Sequence, residues 1–264
     1  MLRFLYLAVI FLLILPSCQP ADSRVAGLRV RILDEAGMTT PARVRFTGMD
    51  GTYFAPESHR ADFPVTHAND PVSEEADMMM DDDRRFAYVD GQFSIELPQD
   101  SVRVEVIKGF RYRMYDDTIA LADLRELDIH LKKAFDLPDT HWYSGDVHVH
   151  YINPPTALLE MKAEDLNVCN VLISDFTVDH ALFRGEIEPL SEPEHLVYFG
   201  QEYRQDQLGH INLLNLKEKL VEPAATSRQQ HYPLNLYAGD ETHRQGGHVS
   251  WAHFAAWPGL EGPL

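Results

Sequence analysis

Two histidines spaced two residues apart, His148 and His150, have the clearest potential for chemistry in this sequence. The run Gly145-Asp146-Val147-His148-Val149-His150 predicts a short strand over residues 147–150. Because alternate side chains leave the same face of a strand, both imidazoles would point into one cavity, and Val147 and Val149 would face the apolar side. Two neutral imidazoles converging at a strand end form half of a site for a divalent transition metal.

Further candidate ligands follow predicted strands in the second half of the chain. Strands are predicted over residues 168–173, 196–200, 210–216 and 249–253, and helices over 156–166 and 236–245. Such alternation indicates parallel βα units, whose functional groups gather at the carboxyl ends of the strands. Asp175, Glu202 and His253 lie at such ends. His210 begins a strand instead, but a tight reversal after Glu202 would bring it beside that carboxylate.

Four segments resemble one metallohydrolase family in their order and spacing. They are Ser144-Gly145-Asp146-Val147-His148-Val149-His150, Gly200-Gln201-Glu202-Tyr203, Gly209-His210-Ile211-Asn212-Leu213-Leu214 and Gly246-Gly247-His248-Val249-Ser250-Trp251-Ala252-His253. The family is that of the polymerase-and-histidinol-phosphatase (PHP) metallohydrolases, and the resemblance is closest to their carbaryl-hydrolase-like (CehA/McbA) branch. It implies a distorted βα barrel that binds two or three Zn, Mn or Fe ions and hydrolyses phosphoesters or, in this branch, carboxyl esters.

The resemblance also implies a role for each candidate residue. His148 and His150 would hold one metal, Glu202 would bridge two metals, and His210 and His253 would complete neighbouring ones. Water activated by a metal would be the nucleophile, and a second metal would polarise the ester oxygen. The carboxylates Asp175 and Glu202 are the candidate catalytic groups, since carboxylates can orient imidazoles or move protons.

The sequence departs from the family pattern in two places. Ser174-Asp175-Phe176 stands where the family carries Thr-Asp-His, which leaves Asp175 as the candidate ligand and His180 as an alternative that could loop back. The family's last ligand motif, Asp-x-His, has no counterpart after His253. We therefore expect the PHP-like domain, residues 144–264, to be an incomplete barrel.

A β-sandwich domain is predicted ahead of this region, over residues 27–133, with a connector over 134–143. Apolar and charged residues alternate over residues 27–33, 42–46, 93–97, 102–106 and 127–131, which is typical of half-buried antiparallel strands. Asp90-Gly91 predicts a hairpin, and residues 56–85 read as a polar insertion. The region resembles the small sandwich domains related to transthyretin and to carboxypeptidase regulatory domains in four segments: Pro41-Ala42-Arg43-Val44, Asp50-Gly51, Asp90-Gly91-Gln92-Phe93 and Leu97-Pro98.

The N-terminus resembles a bacterial lipoprotein signal over residues 1–17, followed by a linker over 18–26. Arg3 precedes the apolar run 4–15, which is shorter than a membrane-spanning helix requires. Leu15-Pro16-Ser17-Cys18 resembles a lipobox, which implies cleavage before Cys18, its acylation and a membrane tether. Gln19 after the cysteine suggests the outer membrane. The alternative is an ordinary secretory signal in which the cysteine is accidental.

Charge and cysteine content narrow the possible partners. The formal net charge of −18 argues against a nucleic-acid-binding surface, which needs clustered Lys and Arg. If Cys18 is lipidated, Cys169 has no partner for a disulfide, and its apolar surroundings predict a small core residue.

Two functions remain open on this reasoning. The first is a lipid-anchored, metal-dependent hydrolase of the cell envelope, acting on a small-molecule ester or phosphoester. The second is a non-catalytic envelope lipoprotein whose sandwich binds a glycan or a protein. A serine hydrolase is disfavoured, because no Gly-x-Ser-x-Gly nucleophile elbow occurs in the sequence.

Overall fold

The computed structural model of the chain describes residues 25–57, 78–80, 84–98, 100–136, 141–150, 152–173, 182–204, 209–221 and 235–252. The predicted signal over residues 1–17 lies outside these ranges, as do Cys18, Asp175, His180 and His253. Within the described ranges, no helix combines the length and the apolar character needed to cross a membrane.

The first part of the described chain contains nine strands: β1 (Val25–Leu33), β2 (Ala42–Gly48), β3 (Tyr53–Phe54), β4 (Met78–Met80), β5 (Arg84–Val89), β6 (Gln92–Pro98), β7 (Ser101–Ile107), β8 (Tyr115–Ala120) and β9 (Glu126–His130). One sheet has the order β6-β1-β9. The other has the order β4-β5-β2-β7-β8, with β3 paired to β2.

These two sheets share one apolar core, as expected of a β-sandwich. In β6, Phe93, Ile95 and Leu97 are buried while the residues between them are exposed. Val44 and Phe46 of the other sheet are fully buried in the same cluster. The alternation in the sequence thus predicted the buried face correctly. The sandwich is not wholly antiparallel as predicted, however, because β1 and β9 pair in parallel.

The prediction of a hairpin at Asp90-Gly91 is wrong. Gly91 does turn the chain, with a φ of 107°. However, β5 before the turn pairs with β2, and β6 after it pairs with β1, so the turn passes from one sheet to the other. A Cβ atom on Gly91 would lie 2.7 Å from the backbone nitrogen of Thr40. This close packing against a distant segment is not encoded in the local turn pattern.

The predicted polar insertion over residues 56–85 ends in regular structure. Met78–Met80 form β4, which pairs with β5 in an antiparallel register from Met78 opposite Phe86 to Met80 opposite Arg84. Residues 58–77 and 81–83 lie outside the described ranges.

The second part of the described chain contains β10 (Gly145–Val149), α1 (Pro154–Ala163), β11 (Val168–Ile173), β12 (Leu196–Tyr203), β13 (Ile211–Leu214), α2 (Asn235–Arg244) and β14 (His248–Trp251). The five strands form a mixed sheet in the order β10-β11-β12-β13-β14. β10, β11 and β12 run parallel, whereas β13 and β14 are antiparallel to their neighbours. Among the described residues, the predicted βα pattern therefore holds for β10, α1 and β11, the parallel pairing extends to β12, and no closed barrel is seen.

The two faces of this sheet have different roles. Cys169 and Val171 of β11 and Val197 and Phe199 of β12 lie on one face, in the apolar core beneath the helices. Since side chains alternate along a strand, Glu202 of β12 lies on the other face. The start of α1 is fixed locally, because the Asn153 side chain accepts a hydrogen bond from the backbone N–H of Thr156.

The sandwich contacts the end of α1 through an ion pair that is mostly buried. Arg43 of β2 pairs with Glu164, and their side chains are only 10% and 22% exposed. Tyr88 of β5 donates a hydrogen bond from its hydroxyl to Glu164 Oε1 at 2.8 Å. These contacts join two elements of the sandwich to the helix that packs on β11.

A second set of contacts joins the sandwich to the C-terminal end of α1, and we call this contact region the junction. The Lys108 ammonium group donates to the carbonyl oxygen of Lys162 in the last turn of α1, where helical carbonyls lack partners within the helix. Burial lowers the pKa of Lys108 to about 8, although the Asp165 carboxylate opposes this shift. Arg111 donates to both carboxylate oxygens of Asp165. The sandwich thus holds the C-terminal end of α1 in place.

Candidate metal centre

The two histidines of the His-x-His pair converge as the sequence predicted. They lie at the end of β10, and their Nε2 atoms are 3.0 Å apart. The backbone N–H of His148 donates to Asp146 Oδ1 at 2.9 Å, and the register of β10 against β11 shifts between Asp146 and Val149. Val147 is 45% exposed, so the prediction that it faces an apolar surface is wrong.

Glu202 meets these two imidazoles from β12. Its side chain is completely buried, while those of His148 and His150 are 26% and 12% exposed. Glu202 Oε2 lies 3.1 Å from His150 Nε2, and Oε1 lies 3.5 Å from His148 Nε2. The sequence placed Glu202 just after its strand, but β12 extends to Tyr203 and includes it.

The spacing of these three side chains fits a divalent cation. Their ligand atoms all lie within 4.8 Å of one another. Atoms bound about 2.1 Å from a common ion lie roughly 3.0 to 3.4 Å apart in octahedral or tetrahedral geometry. The separations of 3.0 and 3.1 Å lie in that range, and the 3.5 Å between His148 Nε2 and Glu202 Oε1 lies just above it. His148, His150 and Glu202 could therefore hold a metal ion without large movement.

The protonation of His150 also suits metal binding. Its Nδ1 lies 2.8 Å from the carbonyl oxygen of Leu172 on the neighbouring strand β11. Since a carbonyl oxygen can only accept, Nδ1 carries the proton in this hydrogen bond. Nε2 is then the nitrogen that a cation would bind, in place of the proton that faces Glu202 in the metal-free chain, and such an outer hydrogen bond on Nδ1 is the usual way a metal-binding histidine is oriented.

The surroundings of Glu202 keep it ionised. Burial alone would raise its pKa, but hydrogen bonds from His148, His150 and His210 and the positive charge of Arg204 outweigh burial and hold the pKa far below its usual range. Arg204 places both Nε and Nη2 2.6 Å from Glu202 Oε2. A permanently charged carboxylate at this position is a strong donor for a cation.

His210 lies where the predicted tight reversal would bring it. Its Nδ1 is 3.0 Å from Glu202 Oε1, and β13 follows immediately as the antiparallel partner of β12. His210 thus contacts the central carboxylate, although it is not one of the three residues whose ligand atoms converge. Asp175 and His253, the other predicted ligands, and the alternative His180 lie outside the described residues.

Two residues of the site were not predicted from the sequence. Arg204 follows Glu202 by two positions, so the alternation of a strand already placed both on one face. Asn212 lies directly opposite Glu202 in the β12–β13 register, and it is buried. Only the pairing of two strands reveals that position.

A cavity of about 310 Å³ lies beside the two histidines and offers space for a small molecule. Its wall includes Tyr88 from the sandwich, Glu160 and Met161 from α1, and His148 and His150. Burial raises the pKa of Glu160 to about 7, and the negative charge of Glu164 adds to the effect. The sandwich therefore contributes directly to the surroundings of the candidate metal centre.

Cys169 is a core residue, as predicted. It is only 3% exposed and has no disulfide partner among the described residues. Burial raises the pKa of its thiol to about 12, so it is protonated at neutral pH and unsuited to nucleophilic attack.

No protein-family model matches this chain, and searches of curated proteins and of solved structures return no similar protein.

Proposed function

We propose that this chain is a metal-dependent hydrolase that cleaves a small-molecule ester or phosphoester. The observation that carries the proposal is the convergence of His148 Nε2, His150 Nε2 and a fully buried, ionised Glu202 at the separations a cation requires. We further propose that β10 to β14 belong to a distorted βα barrel of the PHP kind. The parallel arrangement of β10, β11 and β12 supports this, since the candidate ligands lie towards the carboxyl ends of β10 and β12.

The donor set is compatible with Zn, Mn or Fe. Imidazole nitrogen suits Zn and Fe, and carboxylate oxygen also suits Mn. When bound, such a cation would supply Lewis acidity and an activated water for attack on the ester. His148, His150 and Glu202 would hold it, and Asp175, which follows β11 in the sequence, remains a candidate ligand or proton carrier.

Arg204 and the adjoining cavity suggest how a substrate would be bound and how its developing negative charge would be stabilised. Attack on either a carboxyl ester or a phosphoester builds negative charge on an oxygen of the reacting group. The Arg204 guanidinium, fixed 2.6 Å from Glu202, is close enough to the metal cluster to stabilise that charge. The remainder of the substrate would occupy the cavity between α1, His150 and Tyr88.

The proposed location is the bacterial cell envelope, with a lipid anchor on Cys18 and the outer membrane as its site. This rests on the lipobox-like residues 15–18 and on Gln19. Labelling cells with a radioactive fatty acid tests the anchor: the full chain should incorporate label and a Cys18→Ala variant should not. Equal labelling of both chains would contradict the anchor.

Hydrolysis assays on the purified full chain test the activity. After loading with Zn, Mn or Fe, the protein should hydrolyse 4-nitrophenyl acetate, 4-nitrophenyl phosphate or bis(4-nitrophenyl) phosphate, and a chelator should abolish the reaction. His150→Ala and Glu202→Gln should lose the activity, whereas His248→Ala, which changes an exposed histidine of β14, should retain it. A folded, metal-loaded protein that hydrolyses none of these substrates would instead favour the non-catalytic lipoprotein.

A further inference from the structure

Asn212 has an unusual environment for a buried side chain. It is 1% exposed, and its Nδ2 donates to Ser250 Oγ at 3.3 Å. Its Oδ1 is buried as well but has no hydrogen-bond partner among the described residues. A buried carbonyl oxygen without a partner costs free energy, and in folded proteins such an atom commonly faces an ion or a water.

The register of the sheet places the Asn212 side chain next to that of Glu202. Asn212 of β13 is the direct partner of Glu202 on β12, and Ser250 of β14 is in turn the partner of Asn212. Directly paired residues of antiparallel strands send their side chains to the same face, with Cβ atoms about 4.5 to 5.5 Å apart. Asn212 and Glu202 therefore share the face of the sheet that also receives His148 and His150.

We propose that Asn212 Oδ1 is an oxygen ligand of the divalent cation held by His148, His150 and Glu202. This inference deepens the proposed metal centre and rests on it. An amide oxygen is a hard, neutral donor of the kind that Mn prefers more than Zn does. Asn212 should therefore contribute more to the affinity for Mn²⁺ than to the affinity for Zn²⁺.

Calorimetric titration of the metal-free full chain with Mn²⁺ and with Zn²⁺ tests this role. Asn212→Leu keeps nearly the same shape but removes the oxygen, and we expect it to weaken Mn²⁺ binding by about tenfold or more, with a smaller loss for Zn²⁺. The control is His248→Ala, which changes an exposed residue of β14 that makes no contact with Asn212 in the sheet register. It should leave Mn²⁺ affinity unchanged.

A second variant keeps the test decisive if Asn212→Leu does not fold. Asn212→Asp retains an oxygen at the same position and adds a negative charge, so it should bind Mn²⁺ at least as tightly as the wild type. The electron paramagnetic resonance spectrum of bound Mn²⁺ should also change in a folded Asn212→Leu protein, because the ligand set differs.

The possible results distinguish failure of the proposed metal centre from failure of the proposed role of Asn212. A folded wild-type chain that binds neither ion overturns the proposed metal centre itself. A wild-type chain that binds Mn²⁺ no more tightly than a folded Asn212→Leu overturns only the role of Asn212. Weaker Mn²⁺ binding by Asn212→Asp, or equal losses in His248→Ala and Asn212→Leu, would do the same.

Discussion

His150 Nε2 lies 3.1 Å from Glu202 Oε2, although a whole strand, β11, separates the strands that carry them. Neighbouring strands lie about 4.8 Å apart, so the two backbones are separated by roughly twice that distance. The intervening strand also anchors the pair, because His150 donates from Nδ1 to the carbonyl oxygen of Leu172. The contact between histidine and carboxylate therefore depends on three strands in the correct register.

Replacing Arg43 with alanine should destabilise the chain by about 3 kcal/mol, because it leaves the mostly buried Glu164 carboxylate without its ion-pair partner. The matched control is Arg31→Ala, which breaks an ion pair with Asp128 whose side chains are 48% and 36% exposed. That change should cost less than about 1 kcal/mol. Urea denaturation measures the loss of unfolding free energy in both variants. If Arg43→Ala costs as little as Arg31→Ala, the ion pair between Arg43 and Glu164 contributes little to stability.

Gly109→Ala should destabilise the same junction by several kcal/mol. Gly109 has a φ of 46°, and a Cβ atom there would lie 2.4 Å from the carbonyl oxygen of Glu164. Gly37→Ala is the control, since Gly37 has a φ of 78° but no atom within 4 Å of the added Cβ. Its cost should be only the strain of a left-handed residue, about 1 to 2 kcal/mol. Thermal unfolding that ranks the two variants equally would argue against close packing at Gly109.

Glu160→Gln should stabilise the chain at about pH 8 by roughly 1 to 3 kcal/mol and have little effect near pH 4.5. Burial beside Glu164 raises the pKa of Glu160 to about 7 from an ordinary value of 4.5. As the pH rises between these values, the unfolded chain releases a proton that the folded chain still holds, so wild-type stability is lost over this window.

The measurement is the difference in unfolding free energy between Glu160→Gln and the wild type across this pH range. Glu186→Gln is the control, since Glu186 is an exposed carboxylate of the same part of the chain. Its effect should stay within about 0.5 kcal/mol at every pH. If the stability advantage of Glu160→Gln over the wild type does not grow between about pH 4.5 and pH 7, burial does not raise the pKa of Glu160 as described.

Local patterns in the sequence predicted the elements that have a regular period. The alternation over residues 93–97 gave the buried face of β6, and the apolar run over residues 168–173 gave β11 with the bounds that the structure has. The pair His148 and His150 followed from the same alternation. In these cases the side-chain period of a strand is sufficient, because it decides which residues share a face.

Long-range pairing could not be predicted in the same way. The turn at Asp90-Gly91 looks like a hairpin locally, but β5 and β6 join different sheets because their partners are β2 and β1. Asn212 likewise joins the candidate site only through its register opposite Glu202. Which strands pair is decided by packing over the whole domain, and a local sequence window does not contain that information.

The most direct test of the central claim is the metal content of the purified full chain, determined by inductively coupled plasma mass spectrometry after exposure to Zn, Mn and Fe and removal of free ions. The wild type should retain at least one equivalent of a divalent ion. The double variant His148→Ala/His150→Ala should lose it, and the control His248→Ala should keep it. A folded wild-type chain without bound metal, or a double variant with unchanged metal content, would contradict the account.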